Sequence, residues 1–201
     1  MKVVDLLTPL PPLLFAVGVH GLGHLLAARL VGVRLQTLRR TATGFRLISA
    51  GGFISYDAEL ICALGGPLAN ALAALFCRLI LWADPSLAPL LSPLISLSLY
   101  LGLFNLLPME QFDGARILHC WLCTRHRVLP SLSPAAADRR IGFLSCGLLL
   151  LFWLIALYLL LRRGSALSLY LFCMQLFVAT RRDERLAQTS GIGRISEDTK
   201  E

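Results

Sequence analysis

The chain has 201 residues, of which 56% are hydrophobic and only 15% charged, against roughly 25% charged in an ordinary soluble domain. Mean hydropathy is +0.70 and the formal net charge is +7. These values exclude a disordered chain, which needs low hydrophobicity and high charge, and they argue against a soluble globule. Seventeen of the nineteen basic residues are Arg, gathered at the ends of apolar runs. That is the habit of cytoplasmic loops in membrane proteins. No basic run is interleaved with aromatics, so nucleic acid is not an expected partner.

A helix needs about 20 apolar residues to cross a bilayer. Runs free of Asp, Glu, Lys and Arg cover Leu6–Ala28, Leu60–Cys77, Ile141–Leu161 and Gly164–Thr180, and between Leu79 and Met109 the only charge is Asp84. The expected architecture is therefore an all-α polytopic membrane protein with five spans. They run from about Pro9 to Val33, Glu59 to Trp82, Leu90 to Leu107, Ile141 to Leu161, and Ser165 to Thr180. Between the first two, Arg34–Tyr56 carries Gly44, Gly51 and Gly52 among short apolar-polar alternations, the pattern of a small β-hairpin at the membrane surface. Residues 1–180 are expected to form one membrane-embedded domain. Residues 181–201, with five basic and five acidic side chains and no apolar period, are expected to be a solvated, partly disordered tail.

The arginines orient the spans. Placing Arg34–Arg46, Arg116–Arg140 and the tail in the cytoplasm, with the Asp84 loop and the N-terminus outside, satisfies the positive-inside rule everywhere except at Arg162 and Arg163. No cleavable signal peptide is evident, because the first span is too long for an h-region and has no A-x-A-like exit. With only 21 residues in the tail, no regulatory domain is expected after the last span. The compact form suits a bacterial cytoplasmic membrane.

Polar residues within spans are costly and mark function. His20 and His24 stand one turn apart on one face of the first span. Two imidazoles so placed hold one metal ion, and a catalytic zinc takes three protein ligands and a water. The third ligand has to come from elsewhere. Asp113 is the best candidate, just past the third span, at the Gly-marked start of an amphipathic helix and on the same side of the membrane. Asp84 lies on the opposite side, and Asp138 has no such setting. The alternative for the pair is two hydrogen-bonded structural histidines. Asn70, closing GGPLAN, and Asn105, at the end of the third span, are candidates near the site; both equally suit backbone groups freed near Pro67 and Pro108. Gly65, Gly66 and Pro67 fit either a contact beside the metal or helix packing alone. Cys120 and Cys123, with His119 and His126, resemble a metal or redox pair, but cytoplasmic cysteines stay reduced and no second CxxC is present.

Three blocks carry a resemblance. HGLGH at 20–24 resembles an HExxH helix, GGPLAN at 65–70 a G-P-x-x-N block, and NLLPMEQFDGARIL at 105–118 an N-x-x-P…L-D-G-G segment. In this order, on successive spans, they resemble the site-2 protease family of intramembrane zinc metalloproteases, particularly the short bacterial members that process sporulation and signalling precursors. The resemblance implies that His20, His24 and Asp113 bind Zn²⁺, and that Asn70 and Asn105 contact substrate. It further implies that the hairpin receives an unwound segment of a membrane-anchored substrate by strand addition.

One departure bears on activity. The family's second position is a Glu, the general base acting on the zinc-bound water; here it is Gly21. Three readings stay open: a pseudoprotease that binds membrane clients or a partner, a Gly introduced into an ordinary protease, or a substitute acid, for which Glu110 is nearest to a ligand in sequence. Ala115 replaces the family's second Gly, with at most a packing consequence. A small transporter with a coincidental His pair predicts inverted repeats, and none is visible.

Overall fold

The structure is a computed structural model. It describes residues 10–33, 35–41, 44–49, 55–125 and 134–163, together with 171, 174, 175 and 178; for the two strands and residues 135 and 163 only the backbone is described. The order is α1 (Leu10–Leu30), β1 (Leu35–Thr41), β2 (Gly44–Ser49), α2 (Tyr56–Ala83), a 3-10 turn (Pro85–Leu87), α3 (Ala88–Asn105), α4 (Asp113–Arg125) and α5 (Pro134–Arg163). Four of these helical stretches are long and apolar enough to cross a membrane: Leu10–Leu30, Tyr56–Ala83, Pro85–Asn105 and Ala136–Arg162. The expected fifth span, Ser165–Thr180, falls largely outside the described residues, as does the tail.

The packing is that of a protein whose solvent is lipid. Many fully buried positions are small, among them Ala16, Ala28, Ala63 and Ala156. Large apolar side chains point outward, including Leu14, Leu26, Leu72, Phe76 and Leu103. Hydrocarbon outside the bundle is as apolar as Leu, so nothing drives large side chains inward and close backbone contact decides the interfaces. The α1–α2 contact shows this directly. A β-carbon at Gly65 would stand 2.6 Å from the carbonyl oxygen of Gly23 and 2.7 Å from the β-carbon of Ala27, and one at Gly23 would meet the Gly65 carbonyl. Only glycine lets the two backbones approach this far.

Helix α2 is the hub, packing on α1, α3 and α4. It begins three residues before the expected span. Ser55 caps it, its hydroxyl accepting from the Ala58 N–H at 3.2 Å, and Asp57 and Glu59 occupy the first turn, where acids favour the positive end of the helix dipole. Helix α5 likewise extends back beyond its apolar run, so that Asp138, Arg139 and Arg140 belong to the span's own helix rather than to a preceding segment. Charge hides such polar turns from a hydropathy reading. Strands β1 and β2 pair antiparallel, with Arg39 opposite Arg46 and Thr41 opposite Gly44. Phe104 stacks edge-on against Phe112 at 5.2 Å and lies over Phe152 of α5 at 6.2 Å, pinning the loop that leads into Asp113.

Candidate metal centre

His20 and His24 project from α1 one turn apart, and their rings meet edge to face with centroids 4.7 Å apart. Asp113 opens α4, 93 residues after His20. Its Oδ2 lies 3.1 Å from His20 Nε2 and 3.2 Å from His24 Nε2, and the two Nε2 atoms are 3.1 Å apart. Three potential ligand atoms thus form a nearly equilateral triangle. A tetrahedral ion with bonds of ~2.0–2.1 Å to imidazole and carboxylate holds its ligands roughly 3.3 Å apart. The donor set fits such an ion in type and spacing. Among the described residues it is the only group of three His, Cys, Asp or Glu side chains close enough to share one.

Each donor has a partner of its own behind it. His24 Nδ1 donates to the Cys62 carbonyl at 2.8 Å. A carbonyl only accepts, so the ring proton sits on Nδ1 and Nε2 keeps its lone pair. Asn70, fully buried, has its amide nitrogen 3.2 Å from His20 Nδ1. Arg116 reaches toward the other oxygen of Asp113, Oδ1, at 3.8 Å and toward Glu59 of α2 at 3.5 Å, tying α4 to α2. Burial pushes the Asp113 carboxyl up, but hydrogen bonds from His20 and His24, and the charges of those rings when protonated, outweigh it and bring the carboxyl down to about 2. Gly66 makes the space. A β-carbon there would stand 2.7 Å from His20 Nε2 and would also meet His24 Nε2, filling the place where the donors converge.

The remaining sequence candidates have these positions. Gly21 is exposed, and a β-carbon there would meet nothing within 4 Å. Glu110 is also exposed; its N–H donates to Ser145 of α5 at 3.3 Å and its carboxylate lies near Gly142, so it packs toward α5 and is not a member of the three-residue cluster. Asn105 donates to the Leu101 carbonyl of its own helix at 2.8 Å. Cys123 approaches His119 at 3.6 Å, and His119 pairs with Asp138 at 3.2 Å. Burial, with the negative charge of Glu59, pushes the Cys120 thiol up to about 12. This is the profile of buried structural thiols. Sequence reasoning missed the Cys62 carbonyl, which carries no side-chain signal, and the Arg116–Glu59 link. The Gly65–Gly66 doublet was the available sign of the crowding around the rings.

No protein-family model matches the chain. Over 153 residues it is 31% identical to a zinc metalloprotease of Methanocaldococcus jannaschii, an alignment that covers 72% of this chain and 42% of that protein. The chain therefore spans less than half the length of this relative. Its fold is similar to that of the solved site-2 protease from the same organism, with a TM-score of 0.61 and 22% identity, covering 85% of this chain and 74% of the other. This integral membrane protein is thus similar in sequence to a zinc metalloprotease and has the fold of a site-2 protease.

Proposed function

We propose that the chain is an intramembrane zinc metalloendopeptidase of the site-2 protease type, hydrolysing peptide bonds of membrane-anchored proteins in or beside their spans. The observation that carries this is the convergence of His20 Nε2, His24 Nε2 and Asp113 Oδ2 at 3.1–3.2 Å. Zinc held there supplies a Lewis acid for the scissile carbonyl and lowers the pKa of water to ~7. The chain's own residues then have distinct tasks. His20 and His24 provide neutral imidazoles from one rigid helix face. Asp113 closes the donor set from a separate element, and Arg116 steadies its other oxygen. The arginine pattern supports a site near the cytoplasmic face, with the C-terminus in the cytoplasm.

Proton traffic is the weak step. Gly21 offers no carboxylate where the family's HExxH pattern has one, and losing a general acid-base group costs ~10²–10⁴ in rate. This specific feature favours a second reading, a pseudoprotease that captures single-span clients without cutting them. Zinc content decides the first question. About one zinc per chain in detergent-solubilised protein, lost in His20→Ala and in Asp113→Ala, is the expected result; a zinc-free parent protein overturns the metal site. Cleavage of a membrane-anchored reporter by the parent protein then separates the slow protease from the pseudoprotease.

A further inference from the structure

We infer that Asn70 is a positioning residue for His20, acting through the tautomer of its imidazole. This rests on the reading of the cluster as a zinc site. A neutral imidazole has one N–H and one bare nitrogen, and only the bare nitrogen binds a metal. His24 meets this condition through the Cys62 carbonyl, which accepts from Nδ1 at 2.8 Å. At Nδ1 of His20 stands the amide of Asn70, at 3.2 Å.

An amide, unlike a carbonyl, has two faces. Presenting its NH₂, it donates to Nδ1 and drives the ring proton to Nε2, where Asp113 Oδ2 accepts it at 3.1 Å. That is the metal-free arrangement. Presenting Oδ1, it accepts from Nδ1–H and leaves Nε2 bare. A half-turn of the amide converts one into the other. Asn70 is fully buried, and its Oδ1 has no hydrogen-bond partner. One end of the amide is therefore already available for the second role. The turn moves the unpaired end from oxygen to nitrogen without removing it, so the ion and not the amide sets the orientation. Location supports the assignment. Asn70 is one turn beyond Gly66 on the same face of α2, and Gly102 of α3 leaves room beside it, a β-carbon at 102 standing 3.4 Å from that of Asn70.

The test compares zinc affinity, by competition with a chromophoric chelator in detergent, for the full-length parent protein, Asn70→Leu and Asn70→Asp. Leu keeps the volume and removes both hydrogen-bonding ends; Asp keeps the acceptor. The expected result is a ~10–100-fold weaker affinity in Asn70→Leu, the usual cost of losing an outer partner of a metal-binding histidine, with Asn70→Asp within ~10-fold of the parent protein. A purely structural role reverses the order, because a buried carboxylate disturbs packing more than an apolar isostere. Parent-like affinity in Asn70→Leu, or Asn70→Asp binding no better than Asn70→Leu, overturns the inference while the zinc site stands. Absence of zinc from the parent protein overturns both. Should Asn70→Leu fail to fold, the Asn70→Asp affinity decides alone, since a loss beyond ~100-fold there contradicts an acceptor role.

Discussion

Gly66 of α2 faces His20 of α1 so closely that a β-carbon at position 66 would stand 2.7 Å from the ring's Nε2. The donor triangle exists because this position has no side chain. Gly66→Ala is therefore expected to abolish zinc binding, even though alanine is the better helix former. Metal analysis of the purified variant checks this. Gly18→Ala is the control, since a β-carbon there would meet nothing within 4 Å. Retention of one zinc by Gly66→Ala would show that the rings converge elsewhere.

Position 21 presents the opposite geometry. A β-carbon at Gly21 would meet nothing within 4 Å, so Gly21→Glu introduces its carboxylate without steric cost. Zinc content should stay at the parent level. Cleavage of a membrane-anchored reporter should rise by ~10²–10⁴, the usual contribution of a positioned acid-base group. A zinc-loaded Gly21→Glu protein that cuts nothing would favour the pseudoprotease.

The Gly23–Gly65 crossing predicts a stability effect. Valine at either position has to push two helix backbones apart, and overpacking of this kind costs ~1–3 kcal/mol. Gly65→Val should lower the thermal unfolding midpoint in detergent by several degrees and loosen zinc binding with it. Gly147→Val, where a β-carbon would find open space, should change neither by a comparable amount.

Cys120 lies fully buried on α4, its thiol pushed up to about 12 by burial and by Glu59. The thiolate is the reactive form. A raised pKa means that it is scarce below pH 12, on the order of 10⁻⁴ of the thiol at pH 8. Maleimide labelling of Cys120, followed by mass spectrometry, should stay negligible between pH 7 and 9 in the folded protein and become complete after denaturation. Fast labelling of the folded form would contradict the packing of α4 against α2.

How far the sequence revealed this molecule depended on what kind of information each part carries. The four apolar helices follow from hydropathy alone, as does the polar surprise of His20 and His24 in an apolar run. Asp113 was reachable because the arginine pattern predicts a loop that returns to the side of the membrane expected for the histidine pair. The helix starts were not legible, since Asp57 and Asp138 look like loop residues until capping and the helix dipole are considered. The Asn70–His20 contact was invisible for a different reason: residues 50 apart meet through the α1–α2 crossing, and GGPLAN does not state which ring its asparagine touches.

The 93-residue separation of His20 and Asp113 has a consequence for biosynthesis. At ~5–20 residues per second, the ribosome needs roughly 5–20 s after completing the histidine pair to deliver the aspartate. During that interval the first span holds two donors and lacks the third. A complete donor set forms only when α2 and α3 are in place and α4 has turned back onto them, so the three side chains come together only as the bundle closes.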